Sequence, residues 1–253
     1  MTKFVPYLAQ EQIESDAEAL LTEYSQARGV TLVPPIPIED IVEKHLKLGI
    51  EFDDTHRLFG VSRDSQRDPD ILGAILTTGR IVIDESLDPE ENPGKEGRYR
   101  FTLAHEGGHW RLHRHLFTKD PAQATLFGGL AAPSVVCRSS QTKERVEWQA
   151  DAYASCLLMP RKLVIAAWNQ MYPDRRCHVM SRNERDAIAR IMNVEERELR
   201  AKMEDWNNEQ AMERFAWPLA QRFLVSPIAM RIRLEKLGLL FPELPPQGLS
   251  RLA

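Results

Sequence analysis

The sequence lacks any long apolar run. A membrane-spanning helix needs about 18 or more consecutive apolar residues, and this 253-residue chain contains no such run. Its first residues, MTKFVPYLAQEQIESDAEALL, also lack the apolar core of a signal peptide, because charged and polar side chains enter at once. We therefore expect a cytoplasmic protein that does not associate with a membrane.

Cysteine is also scarce, and its spacing excludes two common uses. The three residues, Cys137, Cys156 and Cys177, are odd in number. A full disulfide framework needs an even set, and the common zinc sites need Cys-x-x-Cys pairs. We expect reduced thiols that serve packing, as buried free cysteines commonly do.

The chain has no marked excess of charge of either sign. It contains 33 Lys and Arg against 37 Asp and Glu, a formal net charge of −4, and the two signs mix along the whole length. This balance gives no support for a general affinity for nucleic acid. The length is sufficient to bury a core, which we expect as one domain with an appendage.

Apolar periodicity of two kinds is present, and it predicts an α+β fold. Helical spacing marks a first helix that stops at Gly29, and a short helix from Ile38 to Leu48 that is closed by Gly49. Strand-like patterns follow. The segments ILGAIL and RIVIDE flank TTGR, which is typical of a hairpin, and IEF or RLFGV supplies a third strand.

Two longer helices come next, one from Asn92-Pro93 to about His115 and one, KERVEWQADAYASCLLM, stopped by Pro160. After Pro160 the pattern predicts helices only, over residues 161–172, 182–192, 194–206, 212–223 and 228–238. We therefore predict two parts. Residues 1–165 hold a small antiparallel sheet packed on the long helices, and residues 166–253 form an α-helical C-terminal region.

The first long helix carries HEGGH, an HExxH motif formed by His105, Glu106 and His109. Residues four apart lie on one face of a helix, so both imidazoles can bind one metal ion while Glu106 stands beside it. Two histidines that only pack on a helix face would have the same spacing. A second motif favours the metal site over that alternative.

The second motif is the acidic pair Glu147 and Asp151 on the next helix, again four residues apart. A catalytic zinc takes three protein ligands and leaves one position for water, and Glu147 can be the third ligand. Asp151 can accept the second ring N–H of a ligand histidine. A solvated helix face is the alternative. Because Ala150, Ala154 and Leu158 share this face, we predict that it is buried, where two unpaired carboxylates would be costly.

The two adjacent glycines of HEGGH require an explanation, because each costs about 1 kcal/mol relative to alanine inside a helix. Gly108 falls on the core side of its helix, and the next helix shows Ala150 and Ala154 beside Glu147. Small residues on both helices let the backbones approach closely, which would bring Glu147 to the metal. Gly107 points the other way, and the pattern does not explain it.

Other polar residues near the motif have open roles. His113 lies two turns, about 12 Å, from His105, so it cannot join both motif histidines on one metal ion. It is either structural, or it contacts a metal ligand or the transition state. Sequence alone does not separate the side chains able to stabilise an oxyanion, which are Tyr99, Tyr153, Arg98 and Arg100.

These parts together predict the hydrolysis of a peptide bond. Glu106, which cannot coordinate while its neighbours do, would take a proton from water activated by zinc and pass it to the leaving amine. An edge of the predicted sheet offers an extended peptide a place to pair. A purely structural sheet would have the same pattern.

The two motifs also resemble a known family. FTLAHEGGHWRLH followed by ERVEWQADAYASCLLMP is similar to the ImmA/IrrE family of bacterial and phage zinc metallo-endopeptidases. The similarity extends upstream to PPIPIEDIVEKHLKLGIEF and GRIVIDE, and so covers about residues 10–165. It implies a zincin-like catalytic domain with a gluzincin-like ligand set and a catalytic base, here His105, His109, Glu147 and Glu106.

The resemblance further implies a substrate, because family members typically act on helix-turn-helix transcriptional repressors. Two positions depart from the family pattern. Gly107 stands where a larger apolar residue is more usual, and Asp151 stands where Asn is common. Since Asp accepts a hydrogen bond from a histidine better than Asn does, we do not take Asp151 as a sign of inactivity.

The C-terminal segment LAQRFLVSPIAMRIRLEKLGLL has the pattern of a helix-turn-helix, with Ser226 as N-cap and Pro227 at the first helical position. Arg231, Arg233 and Lys236 would decorate the second helix. An apolar stripe uses one face of that helix for packing, and the net charge is acidic. We therefore predict a structural or substrate-docking role and no direct DNA binding.

The sequence thus predicts a cytoplasmic zinc endopeptidase that acts on a regulatory protein. Two alternatives stay open. One is a regulator that binds its partner without cleaving it and holds only a structural zinc, and the other is a DNA-binding regulator that uses the C-terminal helices. The intact Glu106 favours the peptidase, since a structural zinc site does not need it.

Overall fold

The chain divides into two compact units, Met1–Pro160 and Arg161–Ala253. The computed structural model describes residues 6–60, 71–116, 140–173, 176–181, 183–184, 187–188 and 208–242. The fold is α+β. No helix within these ranges is both long enough and apolar enough to cross a membrane. Cys137 and the predicted helix over residues 194–206 lie outside the described residues.

The first unit begins with helix α1, Gln10–Arg28. Its buried side chains recur at helical spacing and form the stripe that the sequence predicts: Ile13, Ala17, Leu20, Leu21 and Tyr24. The helix ends at Gly29, which has φ 64° and a backbone N–H bonded to carbonyls of the last turn. A left-handed residue at this position is readily supplied by glycine, so this end of α1 is a local property of the sequence.

The second helix is shorter than the sequence predicts. Helix α2, Ile38–Asp40, continues into a single π-helical turn, Ile41–His45, and the chain then turns at Lys47, which has φ 58°. Strand β1, Gly49–Asp53, starts immediately afterwards. The predicted helix end at Leu48 is therefore wrong by about one turn, because the left-handed backbone of Lys47 breaks the helix first.

The sheet has three strands in the order β1-β3-β2, with β2 at Gly73–Ile75 and β3 at Arg80–Asp84. Strands β2 and β3 form the predicted antiparallel hairpin, and Gly79 takes the left-handed position in its turn with φ 82°. Strand β1 pairs with β3 in parallel. The prediction of an antiparallel sheet is thus wrong for one pair, and the sheet is mixed.

Of the two segments predicted to supply the third strand, IEF is the one that does, as part of β1. The other, RLFGV, is helical up to Phe59, because Thr55–Phe59 forms helix α3. The Asp54 carboxylate accepts a hydrogen bond from the Arg57 backbone N–H and so caps this helix. The connection from β1 to β3 contains α3 and β2, which lets β3 run in the same direction as β1.

Two long helices complete the first unit. Helix α4 is Glu96–His113, preceded by a 3-10 turn over Pro93–Lys95, and helix α5 is Ser140–Leu158. Helix α4 packs against α5 on one side and against β2 and β3 on another, while α1 packs against α5. The two helices that carry the sequence motifs are thus held directly against each other.

The second unit is mostly helical. It contains α6, Arg161–Met171, α7, Asn208–Phe223, and α8, Pro227–Lys236. The purely helical prediction is wrong here, because His178–Val179 (β4) and Leu240–Phe241 (β5) pair in parallel. Strands of two residues are too short to show a period in the sequence.

Helix α8 begins as the sequence predicts, but two of its arginines are not on the helix surface as predicted. The Ser226 hydroxyl accepts a hydrogen bond from the Ala229 backbone N–H at 3.1 Å. Arg231 and Arg233 are buried rather than displayed on the surface. The Arg231 guanidinium forms ion pairs with three carboxylates, those of Glu209, Glu213 and Glu235.

Candidate metal centre

The two motif histidines of α4 point their rings at the same place. His105 and His109 are one turn apart, and their Nε2 atoms lie 2.9 Å from each other. Their ring planes are nearly perpendicular, at 81°. The His109 side chain is only 3% exposed and that of His105 15%. Two ring nitrogens therefore meet at one largely buried point on this helix.

Helix α5 brings a carboxylate to the same point. Glu147 Oε2 lies 3.1 Å from His105 Nε2, and Glu147 Oε1 lies 3.8 Å from His109 Nε2. The three side chains offer ligand atoms that all lie within 4.8 Å of one another. The structure thus gathers the three predicted ligands from two helices.

This donor set fits a zinc ion. Ligand atoms 2.0–2.1 Å from a tetrahedral zinc lie about 3.3 Å from one another. The spacings between the donor atoms, 2.9, 3.1 and 3.8 Å, lie around that value. Two imidazole nitrogens and one carboxylate oxygen are ligands that zinc commonly takes, and three protein ligands leave the fourth position open.

The predicted burial of the acidic pair is wrong. The Glu147 side chain is 32% exposed and that of Asp151 58% exposed. Ala150, Ala154 and Leu158 are fully buried, as predicted, but the carboxylates lie at the margin of this apolar stripe. The cost of burying two carboxylates therefore does not argue for a metal. The convergence of Glu147 with the two histidines is the observation that does.

Asp151 contacts one of the two predicted ligand histidines. Its Oδ1 lies 2.9 Å from His105 Nδ1, which leaves His105 Nε2 facing Glu147. Burial disfavours the charged imidazole, but hydrogen bonds to Asp151 and Glu147 outweigh it and raise the pKa of His105 to about 10. Binding of a metal at this ring therefore competes with a proton.

His109 is more deeply buried and behaves differently. Burial lowers its pKa to about 4, so the ring is neutral at pH 7, the form that binds metals. Its Nδ1 lies 3.0 Å from His113 Nδ1, and His113 Nε2 lies 2.8 Å from Gln149 Oε1. His113 thus contacts a proposed ligand. Sequence reasoning missed Gln149, although it is a polar residue within the apolar spacing of Val146 and Tyr153.

Glu106 lies against the sheet, next to the predicted ligands. Its side chain is buried, and burial raises its pKa to about 7, against the lowering effect of the His105 charge. A hydrogen bond with the Ile75 backbone, on β2, favours the carboxylate. A carboxyl group with a pKa near 7 is suited to take and return a proton at neutral pH.

Gly73 explains how β2 comes so close to α4. A Cβ atom at this position would lie 2.6 Å from Thr102 Cγ2 and 3.1 Å from Glu106 Oε1. Only a residue without a side chain allows this approach. Gly73 lies inside the strand pattern ILGAIL, and a glycine in such a pattern indicates close backbone approach, so this signal could have pointed to the site.

Three of the four candidates for stabilising an oxyanion make contacts elsewhere. Tyr99 forms a hydrogen bond with Glu39, and the Arg100 guanidinium donates to the Ile36 carbonyl. The Tyr153 hydroxyl lies near Asp16 and Arg111 on α1 and α4. The fourth, Arg98, is exposed. The geometry therefore assigns this role to none of them.

Comparison with known proteins agrees with this arrangement. No curated protein shows significant similarity to the chain. The family model for the IrrE N-terminal-like domain, peptidase family M78, matches residues 57–184, just over half of the chain. This stretch contains β2, β3, α4 and α5, and with them every residue of the candidate metal centre. The predicted membership is confirmed, and the chain belongs to the M78 peptidase family of IrrE N-terminal-like domains.

Proposed function

We propose that this protein is a zinc-dependent endopeptidase that cleaves a regulatory protein. The observation that carries the proposal is the meeting of His105, His109 and Glu147 within 4.8 Å, with the buried carboxyl group of Glu106 beside them. Membership of a peptidase family supports hydrolysis of a peptide bond. A site that only stabilised the fold would not need a fourth, non-ligating acid.

In this proposal each side chain has one task. His105, His109 and Glu147 hold the ion, and Asp151 orients the His105 ring through its Nδ1 atom. When bound, zinc supplies the Lewis acidity that activates water and polarises the scissile carbonyl. The Glu147 side chain is 32% exposed, so an ion held there would be within reach of a substrate.

Glu106 moves the proton. Its carboxylate takes one from the attacking water while the new C–O bond forms, and then delivers it to the amine nitrogen as the C–N bond breaks. The hydrogen bond from Ile75 holds this carboxylate in place. A bound dication would favour the ionised form of Glu106 and so lower its pKa, which burial raises to about 7.

The substrate segment can be placed beside β2. The hydrogen bonds Leu76 N–H to Arg80 O and Asp84 N–H to Leu72 O show that alternate residues of this strand face β3. The backbone groups of Gly73 and Ile75 therefore point to the opposite edge of the strand, where the Ile75 N–H donates to Glu106. We propose that an extended segment of the substrate lies along this edge, which passes directly by Glu106.

The identity of the substrate rests on the family resemblance. We propose a cytoplasmic helix-turn-helix transcriptional repressor, recognised through docking by the helical region of residues 166–253 as well as through the catalytic domain of residues 1–165. Docking would restrict a cytoplasmic peptidase to few targets. Cleavage would then occur in a flexible or partly helical segment of the repressor.

The test uses the full chain, zinc and the repressor encoded beside it. Wild-type protein should cleave the repressor, a chelator should stop cleavage, and Glu106→Gln should retain zinc and capture the repressor without cutting it. Casein should be cut slowly or not at all. Capture without cleavage by the wild-type, zinc-loaded protein would instead indicate a non-proteolytic regulator. Rapid digestion of casein with no capture of a repressor would indicate a general peptidase.

A further inference from the structure

We propose that His113 and Gln149 position His109 for metal binding by determining which nitrogen of its ring carries the proton. This inference rests on the proposed metal site, and it adds two positioning residues to it. Both are buried: His113 is 1% exposed and Gln149 0%. Neither is a metal ligand, so they act on the metal only through His109.

The series of hydrogen bonds begins at a backbone carbonyl, which can only accept. The Gln149 side chain donates from Nε2 to the Pro6 carbonyl oxygen at 2.9 Å. This contact determines which end of the amide is which, because the NH2 group must face the carbonyl. Gln149 Oε1 therefore faces His113 Nε2, at 2.8 Å.

The direction of the next two bonds follows. Because an amide oxygen only accepts, His113 Nε2 must carry a proton and donate it. A neutral imidazole has one N–H, so His113 Nδ1 is left as an acceptor, 3.0 Å from His109 Nδ1. His109 must then donate from Nδ1, and its lone pair is on Nε2, the atom that faces His105 and Glu147.

The other tautomer of His109 would not serve. With its proton on Nε2, the ring would present an N–H to the point where the three donors meet and could not coordinate there. Its unprotonated Nδ1 would have no donor in a neutral His113. The hydrogen bonds that run from the Pro6 carbonyl through Gln149 to His113 thus select the tautomer of His109 whose Nε2 can bind a metal ion.

The two ligand histidines use different partners, and burial gives the reason. His105 is oriented by Asp151, whose side chain is 58% exposed, so water solvates the charge. A carboxylate in place of His113 would be almost completely buried, and an ion there is costly. A neutral chain of imidazole and amide orients His109 without placing a charge in the core.

The test compares four variants of the full chain. His113→Phe keeps a ring but removes the acceptor for His109, while His113→Asn places an amide oxygen near the position of Nδ1. Gln149→Leu removes the acceptor for His113. Leu157→Ala controls for loss of packing, because Leu157 is a buried residue of α5 about two turns beyond Gln149. Zinc affinity is measured by competition with a chelator, and ring protonation by ¹⁵N NMR of the histidines.

We expect His113→Phe to weaken zinc binding about 10- to 100-fold, as loss of a partner of a ligand histidine does, and His113→Asn to restore most of it. Gln149→Leu should weaken binding less and should no longer hold His113 in the Nε2–H form. Leu157→Ala should lower stability without changing zinc affinity. The wild-type spectrum should show His109 protonated on Nδ1 and His113 on Nε2.

Zinc binding by His113→Phe at wild-type affinity would overturn the proposal, as would a folded His113→Asn variant that binds no better than His113→Phe. These outcomes leave the peptidase proposal intact, whereas a wild-type protein that binds no zinc contradicts the metal site itself. In that case the NMR spectrum of the metal-free protein still tests the predicted tautomer of His109, because protonation of His109 on Nε2 would refute the proposal.

Discussion

Gly108 of α4 packs directly against Tyr153 of α5. A Cβ atom at Gly108 would lie 3.1 Å from Tyr153 Cβ and 3.2 Å from its Cδ1, closer than such atoms normally come. Tyr153 is fully buried and its Cβ is attached to the backbone, so it cannot move aside freely. The predicted close approach of the two helices is therefore present, although Tyr153 forms the contact and not the predicted alanines.

The neighbouring glycine is different and provides a matched pair of substitutions. A Cβ at Gly107 would meet only Val42 Cγ2, at 3.8 Å, an ordinary contact. We expect Gly107→Ala to stabilise the fold by up to about 1 kcal/mol through helix propensity. Gly108→Ala should destabilise it by about 1–3 kcal/mol through overpacking. Urea unfolding of the metal-free proteins measures both, and a Gly108→Ala protein as stable as Gly107→Ala would contradict this packing.

The proposed metal centre predicts one zinc ion per chain. His105→Ala, His109→Ala and Glu147→Ala should each lose it, because two remaining ligands hold zinc poorly. His115→Ala is the control, since His115 is an exposed histidine beyond the end of α4 and should leave the zinc content unchanged. Elemental analysis of the purified proteins decides the matter. Full zinc content in all three ligand variants would refute the assignment.

Asp151 should tune the metal site without holding the ion. Its Oδ1 accepts from His105 Nδ1 at 2.9 Å, so Asp151→Ala should keep the fold but weaken zinc affinity about 10- to 100-fold. Asp151→Asn retains an acceptor oxygen and should weaken binding less. Chelator competition measures both affinities. Unchanged zinc affinity and activity in Asp151→Ala would show that the contact has no functional role.

Asp84, at the end of β3, should make stability depend on acid pH. Burial opposes its charge, but hydrogen bonds from Ser86 and Thr55 outweigh burial and lower its pKa below the ordinary 3.8. A lowered pKa in the folded state stabilises the fold above pH 3.8, and this contribution is lost as the pH falls through the lower, folded-state value.

Asp84→Asn removes this charge and should lower the free energy of unfolding at pH 7 by about 1–3 kcal/mol. The difference from wild type should shrink as the pH falls below 3.8. Urea unfolding of both proteins across this range measures the effect, with Glu90→Gln, at an exposed position in the turn nearby, as the control. A difference that does not vary with pH would show that the charge of Asp84 is not the cause.

The C-terminal helices should not bind DNA. Arg231 is occupied by three carboxylates of its own unit, and Arg233 is 1% exposed, so neither is available to phosphate groups. The full chain mixed with duplex DNA at low salt should show no tight binding by fluorescence anisotropy. Sub-micromolar binding that weakens steeply with added salt would contradict this expectation and favour a DNA-binding regulator.

The sequence by itself determined the features that depend on a few neighbouring residues. The buried stripe of α1, the left-handed end at Gly29, the hairpin of β2 and β3, and the N-cap of α8 all follow from local spacing and turn chemistry. The same holds for the facing of His105 and His109, because residues four apart share a helix face wherever the helix lies.

Only the tertiary structure decided which distant segments meet. The parallel pairing of β1 with β3, the approach of Gly73 to Glu106 and the contact of Gln149 with Pro6 each join positions that are far apart in the chain. The exposure of Asp151 was also misjudged, because a helical period predicts a direction but not how far the neighbouring element covers it. Local periodicity carries no information about where the chain returns, so these relationships depend on the packing of the whole unit.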